Sequence, residues 1–256
     1  MRPNTVRSKW QAGEFATSAW CSIGSPYSAE ILAAAGYDAV TVDLQHGMFG
    51  LESAIGMLQA ISAQQATPMV RVPSLDEAVI MKVLDAGAYG VFCPMIDTAE
   101  QATALVSYCR YPPKGVRSFG PARGLLHGGP DYVDQADDTV IVWAMVETRT
   151  AVANIDAICA TEGLDAIYIG PSDLGSDLGL QVGAYPLQPE LDEAIDRIVK
   201  ATKDAGLRVG SFCFNDEMAA DMVKRGVDLV TVRNDAGLLR LASAHILESL
   251  ARVQRP

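Results

Sequence analysis

Asp38-Ala39-Val40-Thr41-Val42-Asp43-Leu44-Gln45-His46-Gly47 is the stretch whose reading decides the fold. Residues 39–42 are apolar or β-branched at both odd and even positions, so the strand predicted at 39–43 has no wet face, as in a parallel sheet covered on both sides. The run stops abruptly on an acid, an amide and His46, one of three histidines in 256 residues. A buried strand that ends in polar groups delivers them to the mouth of a pocket, and His46 is on that ground a candidate active-site residue. A single histidine after a single strand could equally cap a loop, so the weight lies with the other strands.

Working outward, apolar runs predict strands at 17–23, 39–43, 68–72, 90–94, 140–147, 166–170, 208–211 and 228–232. Helical patterns lie between them at 28–35, 51–65, 75–86, 98–109, 150–160, 189–205, 216–225 and 236–253. Several helices close on Ala-Gly or Arg-Gly (Ala35-Gly36, Ala86-Gly87, Ala205-Gly206, Arg225-Gly226) a few residues before the next strand, where glycine supplies the left-handed C-terminal turn. Eight such units in about 250 residues predict an α/β fold, a closed parallel (β/α)8 TIM barrel filling residues 1–256 as a single domain. The open doubly wound alternative lacks its Gly-rich turn, since Gly24-Ser25-Pro26 is not G-x-G-x-x-G.

The formal charge of −11, from 31 acidic and 20 basic residues without a basic cluster, argues against a nucleic-acid or anionic-membrane surface. Five scattered cysteines (Cys21, Cys93, Cys109, Cys159, Cys213) read as reduced core thiols rather than disulfides or a zinc site. No apolar run nears the roughly 18 residues that span a bilayer, and the expectation is a cytoplasmic protein.

If the barrel holds, the residues at and just after the strand ends share one pocket. They are Asp43, Gln45 and His46, then Arg71, Glu147 and Asp173. Two carboxylates without Cys or His at metal spacing suit a hard divalent ion, Mg2+ or Mn2+, and leave coordination positions for water and substrate. The competing explanation is helix capping, with Thr148 and Ser172 next to the two acids. The turn Gly170-Pro171-Ser172-Asp173 offers backbone N–H groups to a carboxylate. Arg71 at a strand end needs an anion, either Asp43 or, the favoured reading, a substrate oxygen. None of the six lysines ends a strand, which removes the Schiff-base route. Trp20 and Phe212 are pocket or core residues, and His127 and His245 read as structural. Two long connections, 111–139 and 171–188, are expected over the mouth of the barrel.

Taken together, Tyr27-Ser-Ala-Glu30, Gly36-Tyr-Asp38, Asp43-Leu-Gln-His46, Arg71-Val-Pro73, Leu84-Asp-Ala-Gly-Ala88, Glu147-Thr148 and Ile169-Gly-Pro-Ser-Asp-Leu174 resemble the HpcH/HpaI family of class II, metal-dependent pyruvate aldolases, from about Trp20 to the last helix. The resemblance implies a divalent ion (Mg2+, Mn2+ or Co2+) on Glu147 and Asp173, no organic cofactor, and catalysis by His46 as base and Arg71 as enolate stabiliser. It also implies that Asp85 acts on a histidine across a subunit interface, and that the C-terminal helix is exchanged between subunits of a homohexamer, a dimer of trimers. Gly170, Ser172, Asp173 and Trp20 become substrate-binding candidates, with Asp43 and Gln45 behind them. The partners implied are a 2-oxo acid, pyruvate or hydroxypyruvate, and an aldehyde, joined into a 4-hydroxy-2-oxo acid. Relatives usually carry Glu at Gln45 and often Gln at Met145. The alternatives are a related lyase for malyl- or citryl-type thioesters and a non-catalytic barrel that binds a small acid.

Overall fold

A computed structural model describes residues 1–253. Eight parallel strands close into a barrel in sequence order: β1 (Ala16–Cys21), β2 (Ala39–Asp43), β3 (Thr67–Arg71), β4 (Gly90–Cys93), β5 (Ile141–Val146), β6 (Ala166–Ile169), β7 (Arg208–Cys213) and β8 (Leu229–Val232). Closure is made by β8 against β1, with Ala16 opposite Leu229. The helices are α1 (Thr5–Gln11), α2 (Pro26–Ala34), α3 (Leu51–Ser62), α4 (Glu77–Asp85), α5 (Ala99–Cys109), α6 (Ala122–Gly128), α7 (Tyr132–Thr139), α8 (Arg149–Ala153), α9 (Ile155–Cys159), α10 (Pro171–Asp177), α11 (Pro189–Asp204), α12 (Asp216–Lys224) and α13 (Asp235–Ala251). The eight expected strands are all present. Gly36, Gly87, Gly206 and Gly226 follow helix ends with positive φ, as the repeated Ala/Arg-Gly signature requires.

Strand residues pointing outward pack under the helices, and those pointing inward fill the barrel with large side chains. Phe92 stacks on Trp143 with ring centroids 4.9 Å apart, and Trp20 stacks on Tyr168 at 5.5 Å. Such rings fit only because Gly210 has no side chain: a Cβ there would lie 2.7 Å from Tyr168 and 2.9 Å from Trp143. α1, absent from the sequence reading, plugs the N-terminal end of the barrel. Its Trp10 packs edge-on against Trp143 and donates its indole N–H to the Asp228 carbonyl at 2.9 Å. Seven residues with two buried apolar positions, Val6 and Trp10, carry too little periodicity to announce a helix.

Three expectations need correction. The stretch 111–139 does not lie over the mouth: α5 comes first, so the excursion joins helix to strand at the opposite, N-terminal end. There the Gly128 carbonyl accepts from the Arg2 N–H at 2.8 Å. Residues 150–160 form two short helices broken at Asn154, whose side chain donates to the Asp97 carbonyl at 2.8 Å. The helix expected at 236–253 runs from Asp235 to Ala251, with Asn234 as its N-cap accepting from the Gly237 N–H at 2.8 Å, while the Asp235 carboxylate turns back to Ser22 and Ser28.

His127 is structural: Arg2 donates to its Nδ1 at 3.2 Å, and burial beside Arg2 and Arg123 lowers its pKa to about 4. His245 lies on the exposed surface of α13. All five cysteines are free and buried. Among the described residues no helix is long and apolar enough to cross a membrane. α13 buries only Asp235 and leaves Leu239, Leu247 and Leu250 each more than 60% exposed.

The close approach at Gly210 gives a stability test. Gly210→Ala overpacks the barrel interior and is expected to cost about 1–3 kcal/mol, read as a lower urea midpoint with an unchanged slope.

Candidate active site

Asp43 organises the mouth of the barrel. Buried at the end of β2, its Oδ1 accepts from Arg71 Nε at 2.9 Å and from the backbone N–H groups of Gln45 and His46 at 3.1 and 3.2 Å. Its Oδ2 accepts from Arg71 Nη2 at 2.5 Å, completing a bidentate pair. Burial pushes the Asp43 carboxyl upward, but the hydrogen bonds and charge of Arg71 outweigh it and hold the group below the usual carboxylate range. Within this chain Arg71 is paired with Asp43, one of the two partners the sequence offered. Nε and Nη2 are spent on that pair, while the Arg71 guanidinium lies 5.1 Å over the Trp20 ring and lines the cavity.

Glu147 is the first residue past β5 and is 1% exposed. Its Oε1 accepts from the Met95 N–H at 2.9 Å, and its Oε2 is buried with no partner among the described residues. Met95 presents that N–H from a left-handed backbone, φ 57°, a conformation that costs a non-glycine residue energy and is found where a site dictates it. Burial is the largest influence on Glu147, with the Asp173 charge adding to it and the Met95 N–H opposing; the pKa rises to about 7. Gly170 faces the orphaned oxygen, and a Cβ there would stand 2.2 Å from Oε2. A side chain at position 170 would fill the space in front of the carboxylate.

These groups open on one cavity of about 310 Å³, lined among others by Trp20, Asp43, His46, Arg71, Glu147 and Asp173, together with Gly170 and Ser172. Thr148 does cap α8, accepting from the Ala151 N–H at 3.0 Å, whereas no side chain caps α10 and Ser172 is left facing the cavity. Two candidates lie outside it. Gln45 has a buried Oε1 without a partner among the described residues and is not part of the wall. Asp85, at the far end of α4, accepts from Arg117 Nη2 at 2.9 Å with a quarter of its side chain exposed, outside the cavity of its own chain. Sequence reasoning missed Met95, Tyr168 and Asn234. The last follows β8 and was findable by the same strand-end rule, and Tyr168 shares an inward face with the other barrel aromatics.

Among the described residues no group of three or more His, Cys, Asp or Glu side chains could hold a metal. What the mouth offers is a pair of hard carboxylates, one with an unused buried oxygen and a glycine that keeps the space before it clear. That donor set fits a divalent cation completed by water and substrate oxygens.

Comparison with known proteins matches residues 17–242 to the family model described as HpcH/HpaI aldolase/citrate lyase. The chain belongs to this family. It is 40% identical over 244 residues to a hydroxypyruvate/pyruvate aldolase of Rhizorhabdus wittichii, covering 95% of this chain and 97% of that one. A 4-hydroxy-2-oxovalerate aldolase of Rhodococcus jostii is 35% identical over 98% of this chain and 97% of its own. The crystal structure of an HpcH/HpaI aldolase/citrate lyase family protein from Burkholderia cenocepacia superposes with a TM-score of 0.89 at 31% identity, covering 97% of this chain and 99% of that one. As an HpcH/HpaI protein with aldolase relatives along its whole length, the chain is a carbon–carbon lyase.

The raised pKa of Glu147 has a defined sign in metal-free protein. Folded protein holds the proton up to about pH 7 whereas the unfolded chain releases it near 4.5, so stability falls as pH rises through that window. The fall should be on the order of 3 kcal/mol in urea titrations of chelator-treated protein. Glu147→Gln should flatten it, and an unaltered slope would assign the effect elsewhere.

Proposed function

We propose that the chain is a divalent-metal-dependent aldolase that makes or cleaves 4-hydroxy-2-oxo acids, joining C3 of pyruvate or hydroxypyruvate to an aldehyde. The observation that carries this reading is the buried Glu147 oxygen without a partner, set beside Asp173 in a cavity that Arg71 and His46 also line. Glu147 and Asp173 would hold the cation, Mg2+, Mn2+ or Co2+, which when bound supplies Lewis-acid polarisation of the 2-oxo carbonyl. The turn at Gly170 and Ser172 binds the substrate carboxylate through backbone N–H and hydroxyl donors, and Trp20 lines the same cavity.

His46 takes the C3 proton, directly or through water. The C–H electron pair moves toward the C2 oxygen, and Arg71, with Nε and Nη2 on Asp43, presents its remaining edge to the developing charge. Attack of C3 on the aldehyde carbon forms the new bond, and the proton returns to the alkoxide. Asp43 sets the His46 backbone, and Gln45 sits behind it. Asp85, fixed by Arg117 and partly exposed, is assigned to a histidine across the subunit interface.

The assembly in this reading is a homo-oligomer, a hexamer built as a dimer of trimers in which α13 crosses to a neighbour. The exposed leucines of α13 support it, since an isolated helix gains nothing by leaving such a face in water. Free buried thiols suit a reducing cytoplasm.

Metal-dependent deuterium exchange at C3 of pyruvate tests the chemistry, and its absence with each of the three cations would sink the aldolase reading. Arg71→Ala should slow that exchange by about 10²–10³-fold while cation affinity stays within a few-fold; undiminished exchange would leave Arg71 a purely structural partner of Asp43. For the assembly, Leu247→Asp with Leu250→Asp should reduce the mass measured by light scattering, and an unchanged mass would exclude α13 from the contact.

A further inference from the structure

The lining is unequally divided between charged and apolar side chains. Its charged members are Asp43, Arg71, Glu147 and Asp173; its apolar members are Trp20, Met145, Tyr168 and Phe212, the first three no more than 3% exposed and all within the inner aromatic cluster or packed on it. Met145 lies two residues before Glu147, so both project inward from the same strand end, and its thioether has no hydrogen to donate.

Charge is just as unequal. Among the described residues lining the cavity, Arg71 is the one permanent cation, and Asp43 already neutralises it through two hydrogen bonds. Asp43, Glu147 and Asp173 supply three carboxylates. A divalent cation on Glu147 and Asp173 would offset those two and leave the lining with no net positive charge, so the carboxylate of the 2-oxo acid depends on the donors of the Gly170 and Ser172 turn. A second carboxylate on the other reactant would be desolvated without a counter-charge, which is costly. An apolar tail against the aromatic and thioether wall gains instead, roughly four-fold in affinity per buried methylene.

We infer that Trp20, Met145, Tyr168 and Phe212 determine acceptor specificity, so that this site takes uncharged aldehydes with an apolar chain and rejects those bearing a second carboxylate. The inference rests on the aldolase reading above and names the substrate class of the same site.

The experiment uses the full chain with Mn2+ and pyruvate and compares pentanal with 4-oxobutanoate, aldehydes of similar length that differ in the terminal carboxylate. Pyruvate C3 deuterium exchange without any aldehyde serves as the control for the underlying chemistry. The expected result is a kcat/KM at least about 30-fold higher for pentanal, rising from propanal through butanal to pentanal. Phe212→Arg, at a partly exposed position, should narrow that ratio at least ten-fold by supplying the missing cation. Exchange together with equal or better use of 4-oxobutanoate overturns the inference and places a cation in the site from outside this chain, while the aldolase reading stands. No exchange with metal present overturns both.

Discussion

The barrel mouth depends on one bidentate ion pair. Asp43 and Arg71 end neighbouring strands in register, Asp43 opposite Arg71, and their pairing locks β2 to β3 where the sheet stops and the loops begin. The same carboxylate gathers the N–H groups of Gln45 and His46 and so dictates how the chain leaves the strand. A buried ion pair contributes little net stability against apolar packing, yet loss of either partner strands a charge in a desolvated place. What this one provides is position: it fixes the backbone that carries His46 and turns one edge of the arginine toward the cavity.

Glu147 is the counterweight. Where Asp43 is buried and fully compensated, Glu147 is buried and left half satisfied, one oxygen on the Met95 N–H and the other on nothing. Two carboxylates a few residues from the same mouth thus have opposite electrostatic fates, one held low by a cation and one pushed up by burial. The fold sustains this by accepting local costs, a left-handed Met95 and a side-chain-free Gly170. Strain gathered around one acid marks the point where the scaffold serves chemistry rather than itself.

The strands were legible because burial on both faces leaves a continuous apolar run, and the strand-end rule then gathered Asp43, His46, Arg71, Glu147 and Asp173 without any structure. What escaped has physical reasons. The composition of 111–139 is the same whether such a segment crosses the top or the bottom of a barrel, and only its place after α5 distinguishes them. The hub role of Asp43 is a matter of four donors converging from β3 and from the loop after β2, which no local pattern encodes. Gly170 matters for a contact with a residue 23 positions earlier, through the absence of an atom. Asp85 lies at a helix end, bonded to Arg117, and nothing in its own neighbourhood points toward a cavity on the other face.

The five thiols carry a practical corollary. They are distributed over β1, β4, α5, α9 and β7, each shut away from solvent, and burial raises every one of their pKa values, Cys159 to about 11 and Cys109 to about 12. At neutral pH almost no thiolate exists to meet an alkylating reagent while the barrel is closed. Each cysteine therefore acts as a silent clock for its own layer, and the rate at which it becomes labelled measures how often that part of the barrel breathes open.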